Sequence, residues 1–207
     1  MFADRTDAGR RLGDALVERG VSADLVLAVP RGGLPVGRAV ADALDLPLDV
    51  VAAKKMGAPH NEELAVGAVS ADGSVWINDR LVEQMGVSDD YLREERERAA
   101  ETAREKEERY RGGRIGEEIR GSRVVVVDDG VATGATVTAC LRRVKAEGAE
   151  HSILAVPVGA KESVTRLEGE ADEVFCLETP ERFGAVGQFY ERFEQVTDEE
   201  AIEYLRD

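Results

Sequence analysis

The sequence lacks any apolar run of about 18 residues, so no segment predicts a transmembrane helix. Its first residues carry charges throughout and do not form the apolar region of a signal peptide. Cysteine is also rare, because Cys140 and Cys176 stand alone and form no metal or redox motif. We therefore expect a cytoplasmic protein whose two thiols are reduced and buried.

Lysine is scarce as well, with five lysines beside 22 arginines, whereas acidic residues number 42 and the formal net charge is −15. Such a surface repels nucleic acid, so we expect neither a nucleic-acid nor a membrane partner. An acid-rich, lysine-poor surface favours a halophilic protein, because concentrated salt screens its self-repulsion. Thermal adaptation is a weaker alternative, since it usually raises lysine too.

Several chemical signatures are missing. The chain has no G-x-G-x-x-G fingerprint of a dinucleotide-dependent dehydrogenase and no G-x-x-x-x-G-K-[ST] loop of a P-loop nucleotidase. It also lacks metal-hydrolase and serine-hydrolase motifs, and its two histidines are His60 and His151. No residue stands out as a general base.

What is present predicts an α/β fold. With 207 residues, 43% of them hydrophobic, the chain can form one domain with a real core. Continuous apolar runs predict a Rossmann-like parallel sheet with helices on both faces. The predicted strands are LVLAVP (Leu25 to Pro30), LDVVAAKK, RVVVVDD, SILAVPV and DEVFCLE, and the predicted helices are Thr6 to Arg19, capped by Thr6 or Asp7, LPVGRAVADAL, and Ala135 to Glu147.

An insertion separates the second predicted strand from the third. The segment LAVGAVSADGSVWIN predicts a β-hairpin that turns at Asp72-Gly73. A charged helix follows, in which Glu94–Arg98 and Glu105–Arg109 have the spacing of intrahelical pairs. Its apolar face is thin, so we expect solvent on most sides, with a subunit contact as the alternative. That face consists of Tyr91, Leu92, Ala99, Ala103 and Tyr110.

The segment VVVVDDGVATGAT, Val124 to Thr136, brings two carboxylates together after an apolar strand. Paired like charges repel unless a cation or hydrogen bonds compensate them. In a doubly wound sheet such a strand end is where ligands bind, and the amides that open the next helix favour a phosphate. Carboxylates for a diol beside amides for a phosphate describe a ribose 5-phosphate site. An ordinary strand-end turn is the alternative reading.

This segment resembles the phosphoribosyl pyrophosphate (PRPP) signature of type I phosphoribosyltransferases. The resemblance implies that Asp128 and Asp129 contact the ribose hydroxyls and Mg²⁺, while Ala132 through Thr136 hold the 5-phosphate. The whole PRPP-binding set at this segment would be Asp128, Asp129, Gly130, Val131, Ala132, Thr133, Gly134, Ala135 and Thr136.

A second element, AVPRGG, follows the first predicted strand at the same end of the sheet. In type I enzymes such a loop, often with a cis peptide before its basic residue, binds pyrophosphate. Arg31 would supply charge, and the amides of Gly32 and Gly33 would hold oxygens. An ordinary βα turn is the alternative. Lys54 and Lys55 are expected to end the next strand and contact the leaving pyrophosphate, with MGAPHNEELAVGAV as a mobile cover.

Taken together, these segments and the tail ETPERFGAVGQFYERFEQVTDEE resemble a subgroup of stand-alone phosphoribosyltransferases with no settled acceptor. The resemblance implies a single domain, 1–207, with an insertion at about 54–120 and a C-terminal hood at about 178–207. The hood aromatics would stack on a base or pack the tail onto the core. They are Phe183, Phe189, Tyr190 and Phe193.

The implied reaction, in nucleotide metabolism, transfers the phosphoribosyl group of Mg²⁺-PRPP to a small nitrogenous acceptor and releases pyrophosphate. Mg²⁺ would bridge the pyrophosphate and the ribose hydroxyls. Ala132 stands where enzymes of 6-oxopurines carry an acid, so the acceptor is expected to be another nucleobase. The alternative is a PRPP-binding regulator without catalysis, and a homodimer is common among relatives. The catalytic residues would be Arg31, Lys54, Lys55, Asp128 and Asp129.

Overall fold

The structure is a computed structural model that describes residues 1–112 and 117–206. Its centre is a parallel five-stranded sheet of order β2-β1-β6-β7-β8, which confirms the predicted fold class. The strands are β1 (Leu25–Ala28), β2 (Leu48–Val50), β6 (Arg123–Val127), β7 (His151–Val158) and β8 (Glu173–Glu178). No helix within these residues is long and apolar enough to cross a membrane.

Helices cover both faces of this sheet because its strands are apolar on both sides. In β6, Val124 and Val126 pack into one hydrophobic cluster, whereas Val125 and Val127 pack into the other. This alternation follows from the two-residue side-chain period of a strand. One face carries α1 (Arg5–Glu18) and α2 (Gly33–Leu44), and the other carries α5 (Ala135–Ala146). The core therefore encloses the strand that leads into the two aspartates.

The inserted segment forms a second, antiparallel sheet of order β3-β4-β5. Its strands are β3 (Ala53–Ala58), β4 (Asn61–Ser70) and β5 (Val75–Ile77). The hairpin predicted to turn at Asp72-Gly73 is confirmed, with Gly73 at a φ of 91°.

Two expectations for this region were wrong. The segment LDVVAAKK is not one strand, because its parallel pairing ends at Val50 and the chain enters the second sheet at Ala53. Lys54 and Lys55 therefore lie near the start of β3 rather than at the end of a parallel strand. The segment predicted as a mobile cover forms a hairpin, in which β3 and β4 pair through backbone hydrogen bonds, and its mobility stays a prediction.

Two helices follow this sheet, α3 (Asp79–Met85) and α4 (Asp89–Arg111). Most of α4 is exposed as expected, while Ala99 and Ala100 pack onto the second sheet. The predicted intrahelical pairs were wrong, because Arg98 pairs with Glu95 and Arg109 reaches Asp198 across the fold. Part of the expected insertion at 54–120, residues 113–116, lies outside the described residues.

The two chain ends meet beside the parallel sheet. The side chain of Asp4 caps α1, so the predicted caps Thr6 and Asp7 were wrong. Phe2 forms a backbone bridge with Tyr190, next to a short 3-10 helix at Val186–Phe189. Two more helices complete the fold, α6 (Lys161–Leu167) and α7 (Asp198–Tyr204). Cys140 is buried and Cys176 half-buried, and both are free thiols.

Candidate active site

Asp128 and Asp129 lie directly after β6, at the carboxyl edge of the parallel sheet. Asp128 accepts a hydrogen bond from the backbone amide of Asp129 at 2.8 Å. Burial raises the pKa of both carboxyls, and the neighbouring charge of Asp129 raises the pKa of Asp128 further. The pair is therefore a site of excess negative charge that favours a proton, a cation or a hydroxyl donor.

An arginine that the sequence did not reveal contacts this dyad directly. The Arg5 side chain donates from Nε to Oδ2 of Asp129 at 2.8 Å and from Nη1 to the carbonyl of Glu194 at 2.6 Å. Its guanidinium also lies 3.8 Å from the ring centroid of Phe193. Tyr190 donates its hydroxyl to the carbonyl of Asp129 at 2.5 Å. Residues near both ends of the chain, Arg5 and Tyr190, thus fix the position of Asp129.

The loop after β1 packs directly against the dyad. A Cβ at Gly32 would collide with the carboxylate of Asp129, and a Cβ at Gly33 would lie 2.8 Å from the carbonyl of Val127. Real Cβ atoms do not approach so closely, so both positions require glycine because of this contact. Two loops that are almost 100 residues apart in sequence therefore form one surface.

The loop after the dyad offers a set of free backbone donors. Within the described residues, the amides from Ala132 through Val137 donate no hydrogen bond, and the first helical bond of α5 comes from Thr138 to Gly134 at 2.8 Å. Two carbonyls of the same loop are occupied, since Ser163 donates to Ala132 at 2.6 Å and Arg166 donates to Thr133. The loop is thus fixed by α6 with its amides available, as an anion site at a helix start requires.

These free amides line a cleft of about 180 Å³. Its walls are formed by Asp128, by residues 130–137 and by Lys55. Thr133 and Thr136, whose hydroxyls can also donate, are both on this wall. The cleft is large enough for a phosphate group and lies beside the carboxylate of Asp128.

The peptide between Pro30 and Arg31 is cis, as the resemblance implied. Arg31 does not point its charge at the dyad, because its Nη1 lies 3.5 Å from Oδ1 of Asp198. The amide of Gly33 donates to the carbonyl of Val29 at 3.0 Å, so it is already used within the turn. Of the expected contributions of this loop, the charge of Arg31 and the backbone amide of Gly32 remain as candidates.

Lys54 and Lys55 are both exposed, but their side chains lie near different groups. Lys55 lines the cleft at the free amides, and its charge lowers the pKa of Asp128. Lys54 acts electrostatically on Lys106 of α4. Successive side chains of a strand point to opposite faces, which explains why two adjacent lysines separate in this way.

A larger cavity of about 760 Å³ opens on the other side of Ala132 and Thr133. Trp76 and Asn78 of the inserted segment form one part of its wall, and Phe183 of the tail forms another. The hood aromatics therefore divide: Phe183 reaches this cavity, whereas Tyr190 is buried against Phe2 with ring centroids 5.4 Å apart.

The residues present are compatible with Mg²⁺ held largely by ligands other than the protein. Both dyad carboxylates are hard oxygen donors, but Arg5 occupies one oxygen of Asp129. Among the residues described, no group of three or more acidic, histidine or cysteine side chains could hold a metal. Mg²⁺ commonly keeps several waters and substrate phosphate oxygens, so one or two carboxylates fit that habit.

Comparison with known proteins agrees with this geometry. Residues 5–194 match the family model of the phosphoribosyl transferase domain. Two curated Mycobacterium tuberculosis proteins, from strains CDC 1551 and H37Rv and both named "Putative phosphoribosyl transferase", are 43% identical over 99% of this chain. The chain spans 46% of their length, that is, about half of each relative.

Solved structures give the same result for the fold. A crystal structure from Thermus thermophilus has a TM-score of 0.83 and 42% identity, covering 99% of this chain and 97% of that one. An Aquifex aeolicus protein shares the fold at 15% identity, with a TM-score of 0.54 over 88% of this chain and 78% of its own. From the family match and the dyad-and-loop geometry together, we conclude that this chain belongs to the phosphoribosyl transferase family, as its motifs predicted.

Proposed function

We propose that the protein is a phosphoribosyltransferase that binds Mg²⁺-PRPP, transfers the phosphoribosyl group to a nitrogen acceptor and releases pyrophosphate. The observation that carries the proposal is the contact between a buried, under-compensated carboxylate pair and a loop of unpaired amides. Carboxylates accept from the ribose hydroxyls, and the amides from Ala132 through Val137 donate to the 5-phosphate. A site with both acceptors for hydroxyls and donors for a phosphate suits PRPP better than a sugar without phosphate or a phosphate without sugar.

The remaining groups would act on the leaving diphosphate. Lys55 supplies positive charge at the cleft beside Asp128, and Arg31 would add charge from the loop after β1, where its Nη1 lies 3.5 Å from Asp198. The transition state carries positive charge on the sugar and negative charge on the leaving group, so positioned charges stabilise it more than the ground state. Mg²⁺, bound with PRPP, would neutralise part of the diphosphate charge as a Lewis acid.

The acceptor would occupy the 760 Å³ cavity, which shares Ala132 and Thr133 with the phosphate cleft. Phe183 and Trp76 on its wall suit a planar heteroaromatic ring. Because Ala132 brings no carboxylate to this boundary, we propose a nucleobase other than a 6-oxopurine. The hairpin of β3 and β4 would close over the bound diphosphate.

The direct test is pyrophosphate release from Mg²⁺-PRPP in concentrated potassium chloride, against separate pools of nucleobases and small amines. We expect release that depends on one pool, and dividing that pool identifies the acceptor. A protein that binds PRPP by calorimetry but releases nothing with any pool would instead be a PRPP-dependent regulator. Absence of PRPP binding would contradict both functions.

A further inference from the structure

Lys106 lies on the face of α4 that packs against the rest of the protein. It follows Ala99 and Ala103 and precedes Tyr110 at helical spacing, and these three neighbours are buried. Lys106 itself is half-buried. Within the described residues its ammonium group takes part in no hydrogen bond or ion pair. A partly desolvated lysine without a partner is uncommon, because burial disfavours its charge.

The charged groups with the largest electrostatic effect on Lys106 are mostly cations. Of the four charged groups that most affect its pKa, Lys54, Arg31 and Arg109 lower it, and only Asp198 raises it. Burial lowers the pKa further. We call Arg31, Lys54, Lys106 and Arg109 the Lys106 cluster. Its members come from the loop after β1, from β3 and from α4, so the tertiary fold alone assembles it.

Strand geometry explains how Lys54 joins the cluster. Lys54 and Met56 lie on the same face of β3, since they are two residues apart. Met56 packs in a hydrophobic cluster with Ala99 and Ala100 of α4. Lys54 therefore faces α4, where Lys106 lies two turns beyond Ala99.

Asp198, the one acid among the four charged groups named above, is already shared. Asp198 accepts from the hydroxyl of Tyr110 at 2.8 Å and from Nη1 of Arg109 at 3.0 Å, and it lies 3.5 Å from Nη1 of Arg31. The hydrogen bond from Tyr110 has the largest effect in lowering the pKa of Asp198, so this acid stays ionised. Among the described residues, Asp198 thus pairs with two of the four cations, Arg31 and Arg109, in a protein whose net charge is −15.

We infer that Lys106 is a further anion-binding residue, which together with Lys54 and Arg31 binds the diphosphate group of PRPP and the released pyrophosphate. The inference rests on the proposed function and extends its pyrophosphate site to α4, a helix that the motifs left without a role. The ligand class follows from chemistry: a group of several cations with few acids favours a compact polyanion, and Arg31 connects the cluster to the Gly32 loop at the dyad. Asp198 holds Arg31 and Arg109 in place until that anion binds.

The test measures the binding of two probes, Mg²⁺-pyrophosphate and ribose 5-phosphate, by calorimetry. The variant Lys106→Met removes the charge and keeps the length of the side chain, and Lys106→Arg restores the charge. Lys145→Met is the matched control, because it removes one charge from an exposed lysine near the end of α5. Melting curves confirm that each variant folds.

We expect Lys106→Met to weaken pyrophosphate binding about tenfold, the loss of one charge-assisted hydrogen bond. Ribose 5-phosphate affinity should be unchanged, Lys106→Arg should keep most of the pyrophosphate affinity, and Lys145→Met should bind both probes like the wild type. Removing an unpaired, half-buried charge should also leave the melting temperature equal or higher.

Three results would overturn the inference, and they differ in what else they remove. Unchanged pyrophosphate affinity in Lys106→Met would refute the role of Lys106 alone. Equal losses for both probes would show a structural effect rather than a diphosphate contact. If the wild type bound neither probe, the proposed function would fall together with the inference.

Discussion

Two buried groups of charged residues differ in how completely their charges are compensated. Glu107 of α4 accepts from the amide of Ala52 at 2.7 Å, pairs with Arg143, and lies 3.4 Å from Arg111. Arg111 in turn pairs with Asp49 at 2.9 Å. This network joins α4 to β2 and α5, and almost every carboxylate oxygen in it has a partner.

The dyad at the end of β6 has two carboxylates and one arginine, Arg5. Burial raises the pKa of Glu107 as it raises those of Asp128 and Asp129, so burial alone does not distinguish the two groups. Direct contacts distinguish them: each carboxylate of the Glu107 network contacts an arginine, whereas within the described residues the carboxylate of Asp128 forms no ion pair. We therefore assign the Glu107 network a structural role and the less compensated dyad a ligand-binding role.

A third group completes the comparison with the opposite sign. The Lys106 cluster has excess positive charge. Lys106 itself directly precedes Glu107 on α4. The Gly32 loop joins the acid-excess and cation-excess groups, since Gly32 touches Asp129 and Arg31 contacts Asp198. The proposed ligand, PRPP, would use both signs, carboxylates for its diol and cations for its diphosphate.

The largest change is expected from breaking the compensated group with Glu107→Gln. Arg143 and Arg111 would keep their charges without the buried carboxylate, which costs about 3–5 kcal/mol in the free energy of unfolding. Denaturant unfolding measures this, with the exposed neighbour variant Glu108→Gln as control. The PRPP affinity of the folded fraction should stay the same. A large loss of binding without a loss of stability would show that Glu107 belongs to the ligand site rather than to the structural network.

Next in size is the double variant Asp128→Asn with Asp129→Asn. We expect PRPP affinity to fall at least about a hundredfold, or about 2.8 kcal/mol, because the amides cannot replace two anionic acceptors. The fold should survive, and Asp128→Asn alone should raise the melting temperature because it removes a repelled, buried charge. Calorimetry and melting curves measure both effects.

The matched control for the dyad removes two exposed acids, Glu18→Gln with Glu150→Gln, and so changes the net charge equally. Its PRPP affinity should equal that of the wild type. An unchanged affinity in the dyad variant as well would remove the site from this edge of the sheet.

A smaller effect is expected from Arg5→Met. Losing the bond to Asp129 should lower the free energy of unfolding by about 2 kcal/mol, the cost of a hydrogen bond to a charged group. Adding Asp129→Asn should recover part of this loss, and a double-mutant cycle gives the coupling between the two residues. The exposed pair of Arg192 with Asp4 offers the control Arg192→Met, which should change stability little. Strict additivity of Arg5→Met and Asp129→Asn would show that the pair is not energetically coupled.

The smallest effect per residue concerns the exposed acids, which belong to neither buried group. If the protein is adapted to concentrated salt, its melting temperature should rise with potassium chloride into the molar range, because screening weakens surface repulsion. Thermal melts over a salt series measure it. A flat response would mean that the net charge of −15 has another cause.

The sequence by itself determined the parallel sheet, the hairpin at Asp72-Gly73 and the place of Asp128 and Asp129, because each depends on residues adjacent in the chain. Apolar runs, turn residues and a carboxylate pair after a strand are local patterns. The family resemblance also implied the cis peptide before Arg31, which the structure contains.

Only the tertiary structure decided which charges meet. Arg5 pairs with Asp129, which is 124 positions away in the sequence. Arg109 pairs with Asp198, 89 positions away, rather than with the predicted partner Glu105. The surroundings of Lys106 likewise depend on how α4 packs on the second sheet. Electrostatic partnership is set by distance in space and by exclusion of water, and neither is a property of sequence spacing.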